Sequence, residues 1–443
     1  VITSITGPPL LNTQGGDTLI VLGTNFGRER STSSPQNGAG AGIVISTSGT
    51  FLLLERDDIA LFYGRGTGYE NRAVFCSVIE HHVKLSCTTA VGVGTNHIFR
   101  VAAGKQISSA SSSPNVFSYK LPVLYTVTGP GSLDASTVGG QEIFITGDQL
   151  GPAEMGVDPR SAVHIDVTYG RDGLRYTATK CEMMDDHIRV RCLTSPGVGR
   201  LHKWQLTVGV QTSALLNAST SYAPPSIAEY NGPGGKGANT AGNQYVIIAG
   251  RNFGTVAEDQ QYQTVNNGTY TDSSGALYND KFIARNCHVH KDHVEINCTT
   301  TEGVGKDLVW TLFVDHQKSG VASTAYHVPV IDLIVDHPTD LPRSSLSVTE
   351  GKTDGGQIVR LLGSNFGMPG QKYIEDVTYG KSGSEYQAQN CTVESHTELK
   401  CTLAPGVGAQ LVWSVSVQGL TSVLSSSTTS YAPPTITNVT SLL

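Results

Sequence analysis

Apolar residues along this chain recur at period two, in runs too short for helices. Residues 204–208, Trp-Gln-Leu-Thr-Val, alternate apolar and polar, the pattern of a strand buried on one face. Residues 19–22 (Leu-Ile-Val-Leu) and 245–248 (Tyr-Val-Ile-Ile) are continuously apolar and predict strands buried on both faces. Gly-containing turns separate the runs. About seven such strands per hundred residues predict a two-sheet β-sandwich.

The pattern then repeats. Cysteines stand at 76 and 87, 181 and 192, 287 and 298, and 391 and 401, and the first members are 105, 106 and 104 residues apart. An even count at regular spacing reads as one disulfide per repeat, in an oxidising compartment. Structural zinc, the rival reading, wants C-x(2–4)-C knuckles, which the sequence lacks. Each second cysteine opens one phrase: C-T-T-A-V-G-V-G at Cys87, C-L-T-S-P-G-V-G at Cys192, C-T-T-T-E-G-V-G at Cys298 and C-T-L-A-P-G-V-G at Cys401. Twelve residues after that cysteine stands Phe99, Trp204, Trp310 or Trp413, an expected core aromatic. Tyr119, Tyr222, Tyr326 or Tyr431 follows, and then a proline. Upstream lies Gly23-Thr24-Asn25-Phe26-Gly27, with Gly250-Arg251-Asn252-Phe253-Gly254 and Gly363-Ser364-Asn365-Phe366-Gly367 as its counterparts. Repeat two departs, with Gly147-Asp148-Gln149-Leu150-Gly151.

A period near 105 residues predicts four tandem domains: 1–121, 122–224, 225–328 and 329–434. The first carries an insertion at 28–54. Each opens with a short strand, and residues 435–443 open a fifth, with Ile436 and Val439 at the apolar positions. Links are nearly zero residues long, and prolines at the links predict a stiff, elongated array.

Composition fits this picture. Charged residues are 15% and glycines 50 of 443, which disfavours long helices. No apolar run approaches a membrane span. A net charge of -7 and a pI near 6.0 speak against nucleic-acid binding, which needs a basic face.

These motifs together resemble IPT/TIG domains, the immunoglobulin-like modules of plexins and many large extracellular proteins, over essentially the whole chain. The resemblance implies an all-β fold of four tandem immunoglobulin-like sandwiches. It is less specific for function, because the module also serves in Rel-type transcription factors and beside starch-acting catalytic domains. The paired cysteines and acidic charge place the chain with the extracellular branch.

Candidate chemistry is sparse. There is no Gly-x-Ser-x-Gly elbow, His-Glu-x-x-His or phosphate loop, so no enzyme and no cofactor is expected. A histidine lies five residues before every second cysteine: His82, His187, His293 and His396. A turn-stabilising hydrogen bond is the expectation. His288 and His290 share a strand face, and with His293 form a weak candidate Zn²⁺ or Cu²⁺ site. Asn-x-Ser/Thr acceptors occur at Asn217, Asn267, Asn297, Asn390 and Asn438, so covalent glycans are expected, with Asn267 the best placed.

The expected function is therefore mechanical and associative. The chain reads as a secreted or cell-surface rod that self-associates head to tail, residues 435–443 adding to a sheet of the next molecule. The alternative is an ectodomain fragment of a receptor or adhesin that binds neighbouring proteins or glycans.

Overall fold

A computed structural model describes residues 1–29, 43–47, 50–54, 59–104, 106–113, 115–153, 163–266, 268–272, 282–320, 323–336 and 348–440. The chain forms two compact units, Val1–Ala223 and Pro224–Leu443. Each unit holds two immunoglobulin-like β-sandwiches, built from antiparallel strands.

One sandwich sets the pattern. In the last, one sheet runs Val330–Asp336, Ile358–Ser364, Glu398–Thr402, Gln389–Ser395 in spatial order. The facing sheet runs Tyr386–Gln387, Ile374–Gly380, Val412–Val417, Leu420–Thr421. The first two sandwiches keep the same order, the second with Leu216–Ser221 also paired to Arg200–Val208; in the third, Ser323–Thr324 takes the edge beside Leu308–Thr311, and Phe313–Val314 pairs with Gln317–Lys318 as a separate hairpin. Side chains alternate as a one-face core requires: along Val412–Val417 every second residue is buried. Residues 204–208 follow this pattern as expected. The two continuously apolar runs do not. Along Thr18–Gly23, Leu19 and Val21 are buried while Leu22 is exposed, and in Tyr245–Arg251, Tyr245 is exposed. These two strands are therefore buried on one side only, unlike Ile59–Gly64 of the first domain, where Leu61 and Tyr63 face the core and Ala60 and Phe62 are buried with Ala102 on the other face.

Disulfides join Cys76–Cys87, Cys181–Cys192, Cys287–Cys298 and Cys391–Cys401. Each staples an edge strand to its neighbour across one turn; Cys76 and Cys87 are direct cross-strand partners. Within the 28–54 insertion the described part is a hairpin, Ile43–Thr47 with Thr50–Leu54. One short helix, Val256–Tyr262, follows the Gly254 turn. The Thr255 side chain caps it by accepting from the Glu258 N–H. Asp259 anchors it by accepting from the backbone N–H groups of Val265 and Val289.

The aromatics form the centre of each core. Trp204 stacks on Tyr169 and Trp413 on Tyr379, both at 4.2 Å between centroids, and Phe99 stacks on Tyr63 at 5.2 Å. Each indole N–H needs an acceptor once buried. Trp204, Trp310 and Trp413 donate to Thr220, Thr324 and Thr429, at 2.8, 2.8 and 2.9 Å. That threonine always stands two residues before the repeat tyrosine. The first domain has Phe99, with no N–H, and its counterpart of the threonine is Phe117, edge-on to Phe99 at 5.7 Å. The pair changes together because donor and acceptor are needed only together.

The repeat tyrosines close the core beside the Gly-Val-Gly phrase. Tyr379 and Tyr431 share a 2.6 Å bond between hydroxyls; Tyr379 also accepts from the Ala404 N–H, and Tyr431 donates to its carbonyl. Tyr169 with Tyr222 repeats this on Ser195, and Tyr63 with Tyr119 on Ala90. Burial pushes the phenols of Tyr63, Tyr119, Tyr379 and Tyr431 above their ordinary range, so the pairs stay neutral. The first glycine of the phrase makes room: a Cβ on Gly406 would lie 2.7 Å from the Tyr431 hydroxyl. The second turns the chain, with φ of 107° at Gly94, 104° at Gly305 and 117° at Gly408.

Candidate functional site

The densest arrangement of recurring polar side chains lies where one sandwich meets the next within a unit. In the first unit Val93, the middle residue of Gly-Val-Gly, leaves its own domain and enters the core of the second. It is 2% exposed and packs with Leu124, Leu150 and Val208. The receiving wall is Gly151, which ends the Gly-Asp-Gln-Leu-Gly turn; a Cβ there would sit 2.6 Å from a Val93 methyl. In the second unit Val304 does the same. It is 3% exposed within the last domain's core, and a Cβ on Gly367 would lie 2.8 Å from it.

Polar groups lock each plug. The Thr13 N–H and hydroxyl both donate to Gln149 Oε1, at 2.9 and 3.2 Å, and Thr13 Oγ1 lies 2.8 Å from His187 Nδ1. In the second unit the Thr240 N–H donates to Asn365 Oδ1 at 3.3 Å, and Thr240 Oγ1 lies 3.0 Å from His396 Nδ1. Gln211 adds a bridge in the first unit: its Oε1 accepts from the Gly94 N–H and its Nε2 donates to the Tyr119 carbonyl. Among the described residues the second unit shows no equivalent bridge.

The turn geometry explains the residue types. Asn25, Gln149, Asn252 and Asn365 have φ of 66, 60, 65 and 64°, the left-handed region that Asn tolerates well. At Gln149 and Asn365 the amide side chain meets the preceding domain of the same unit. The recurring histidines sit at the opposing turn tip. His82, His187 and His293 donate their backbone N–H to Gly27, Gly151 and Gly254 and accept from the residue at Phe26, Leu150 and Phe253. A turn-stabilising bond was expected, and the backbone makes one. The rings of His187 and His396 do more: they cross to the neighbouring domain. Burial lowers the pKa of both, against the opposing pull of Asp186 and Asp148 on His187 and Glu302 on His396.

The other sequence candidates are placed as follows. His288, His290 and His293 form no metal site: among the described residues no three His, Cys, Asp or Glu side chains converge to hold an ion. His288 Nδ1 instead lies 2.9 Å from the Asn286 carbonyl. His288 and His290 are both exposed on the one strand Arg285–Lys291, whose pairing is bulged between Val289 and Lys291, and His293 lies beyond it in the following turn. Asn217, Asn390 and Asn438 are exposed, Asn297 is half-buried in a central strand, and Asn267 lies outside the described residues. Ile436 and Val439 are 83% and 82% exposed. Their counterparts Ile331 and Ile334 are buried in the core of the last sandwich. The strand place that residues 435–440 would match in the first domain is filled by Ile2–Thr6, and Asn115 caps its outer side at Thr3 and Ile5.

Among the described residues no helix is long and apolar enough to cross a membrane. No family model and no curated protein matches the chain. Among solved structures, the plexin A4 extracellular region is 10% identical, with a TM-score of 0.20, over 97% of this chain and 48% of its own. This chain thus spans about half the length of that ectodomain. Invasin, a bacterial integrin-binding protein, is 10% identical with a TM-score of 0.21, over 94% of this chain and 76% of its own. The ICAM-5 D1–D4 ectodomain fragment is 11% identical with a TM-score of 0.22, over 95% of this chain and 96% of its own. At that level the likeness has no bearing on function, and the immunoglobulin-like fold stands on the chain's own sheets.

Proposed function

We propose that this chain is a non-enzymatic extracellular structural protein of IPT/TIG-type domains that assembles head to tail. The four disulfides support an oxidising compartment. The observation that carries the assembly is the exposure of Ile436 and Val439, at positions whose counterparts in the last sandwich are core. A segment patterned for a sheet and exposed on the surface is suited to pair with another sheet, which on this reading belongs to a second molecule.

The first domain offers an edge to receive it. In the other three sandwiches the edge strand that carries the first cysteine is kinked by a left-handed residue: Lys180, Asn286 or Asn390, at φ of 50, 54 and 50°. Such bulges and polar residues protect an edge from pairing. The edge Phe75–Glu80 has Phe75 at that place, without the left-handed turn, and exposes Val74, Phe75 and Ile79. Residues 435–443 would add there as an outer strand, since the inner place is filled by Ile2–Thr6. The test is electron microscopy of the whole chain beside one lacking residues 435–443. Filaments with the segment and single particles without it are expected; single particles in both would refute the assembly.

A further inference from the structure

The plug and socket that join domains inside each unit recur, unfilled, at the two far domains of the chain. The last domain carries the plug. Its Gly406-Val407-Gly408 matches Gly303-Val304-Gly305, and Gly408 holds φ 117° against 104° at Gly305. Yet Val407 is 68% exposed, where Val304 is buried. Thr353, which corresponds to Thr13 and Thr240, is exposed as well, while those two are buried.

The first domain carries the socket. Its Gly23-Thr24-Asn25-Phe26-Gly27 turn matches Gly363-Ser364-Asn365-Phe366-Gly367, which receives Val304 and Thr240. The conformations agree: Asn25 and Asn365 lie at φ 66 and 64°, Gly27 and Gly367 at 93 and 98°. His82 stands at the turn tip as His187 does, with φ 65 against 67°. The difference is occupancy. A Cβ on Gly27 would meet nothing within 4 Å, whereas on Gly151 or Gly367 it would strike the plug valine. Asn25 and His82 are exposed.

We propose that Val407 and Thr353 of one molecule dock into the Gly27, Asn25 and His82 socket of a second copy of this chain. The occupant is a second copy because both halves are of the type already paired in Val304 with Gly367 and in Val93 with Gly151. Both halves are also preformed, so little ordering is needed on docking. Val407 would pack against Gly27, the Thr353 N–H would donate to Asn25 Oδ1, and its hydroxyl would meet His82. The proposal rests on head-to-tail assembly and names a joint separate from residues 435–443.

The test compares the whole chain with Val407→Asp and with a chain lacking residues 435–443, by sedimentation over a range of concentrations. Val407 is on the surface, so the substitution leaves the fold intact. Hydrogen exchange at residues 24–29 and 80–84 reports the socket directly. The whole chain should associate, with exchange at the socket slowing as concentration rises. Val407→Asp should weaken association at least tenfold and abolish that slowing, while the shortened chain, single at the dilution of microscopy, should show it at high concentration. Association of Val407→Asp equal to the native chain's would overturn the socket and leave head-to-tail assembly standing. A native chain that stays monomeric would overturn both.

Discussion

Replacing Thr429 by valine keeps the shape of the side chain and removes one hydroxyl. That hydroxyl is the acceptor for Trp413 Nε1 at 2.9 Å, and both side chains are buried. The variant leaves an indole N–H enclosed without an acceptor, which costs about 1–3 kcal/mol. At about 2 kcal/mol, the protection of amides that exchange only when this sandwich opens falls roughly 30-fold. Exchange followed by mass spectrometry in Val412–Val417 measures this without requiring the whole multidomain chain to unfold in one step. Trp413→Phe in the same background removes the orphaned donor. The double variant should therefore be less destabilised than the sum of the singles by about 1 kcal/mol. The first domain already holds the apolar version, Phe99 with Phe117. Unchanged protection in Thr429→Val, or strict additivity in the double variant, would refute the reasoning.

Removing Cys391–Cys401 with two alanines should cost that sandwich roughly 3 kcal/mol by loosening the unfolded chain, read as lost protection in Gln389–Ser395. Gly406→Ala should destabilise by about 1–3 kcal/mol, because its Cβ would lie 2.7 Å from the Tyr431 hydroxyl; a lowered melting temperature is the readout. The junction in the first unit should loosen in acid. Burial holds the His187 pKa below its ordinary value near 6.5, so the docked form binds fewer protons than the undocked one. Its contribution is complete above that ordinary value and is lost as pH falls through the docked pKa. Exchange at residues 11–16, corrected for intrinsic rate, should speed up between about pH 7.5 and about pH 5; equal protection at both would remove His187 from the junction's energetics.

The repeat architecture was open to sequence reading because it is written in covalent spacing and in local period. Cysteine intervals, the Gly-Val-Gly phrase and alternating apolar residues each mark something inside one domain. The junctions were not readable. Val93 and Val304 look like core residues of their own domain, and nothing local says that their methyls enter the next one. The histidines were noticed for their regularity, but the groups that give their rings a task, Thr13 and Thr240, lie 174 and 156 residues away. The same limit applied to Thr220, Thr324 and Thr429: a threonine in a serine- and threonine-rich chain stands out only once the indole it serves is in view. The continuously apolar runs misled for a related reason, since only the sheet's surroundings decide whether its second face is covered.

The placement of the disulfides fixes how far each domain can be drawn out under tension. Each bond spans 10 or 11 residues and ties neighbouring strands, not the two ends of a sandwich. At about 3.4 Å per extended residue, the bond withholds roughly 35–40 Å of contour. A repeat of 104–106 residues stretches, by the same rule, to roughly 350 Å. An oxidised domain that gives way under load thus still lengthens to about nine-tenths of its reduced reach, so the array can yield one sandwich at a time and absorb work while its covalent chain stays whole.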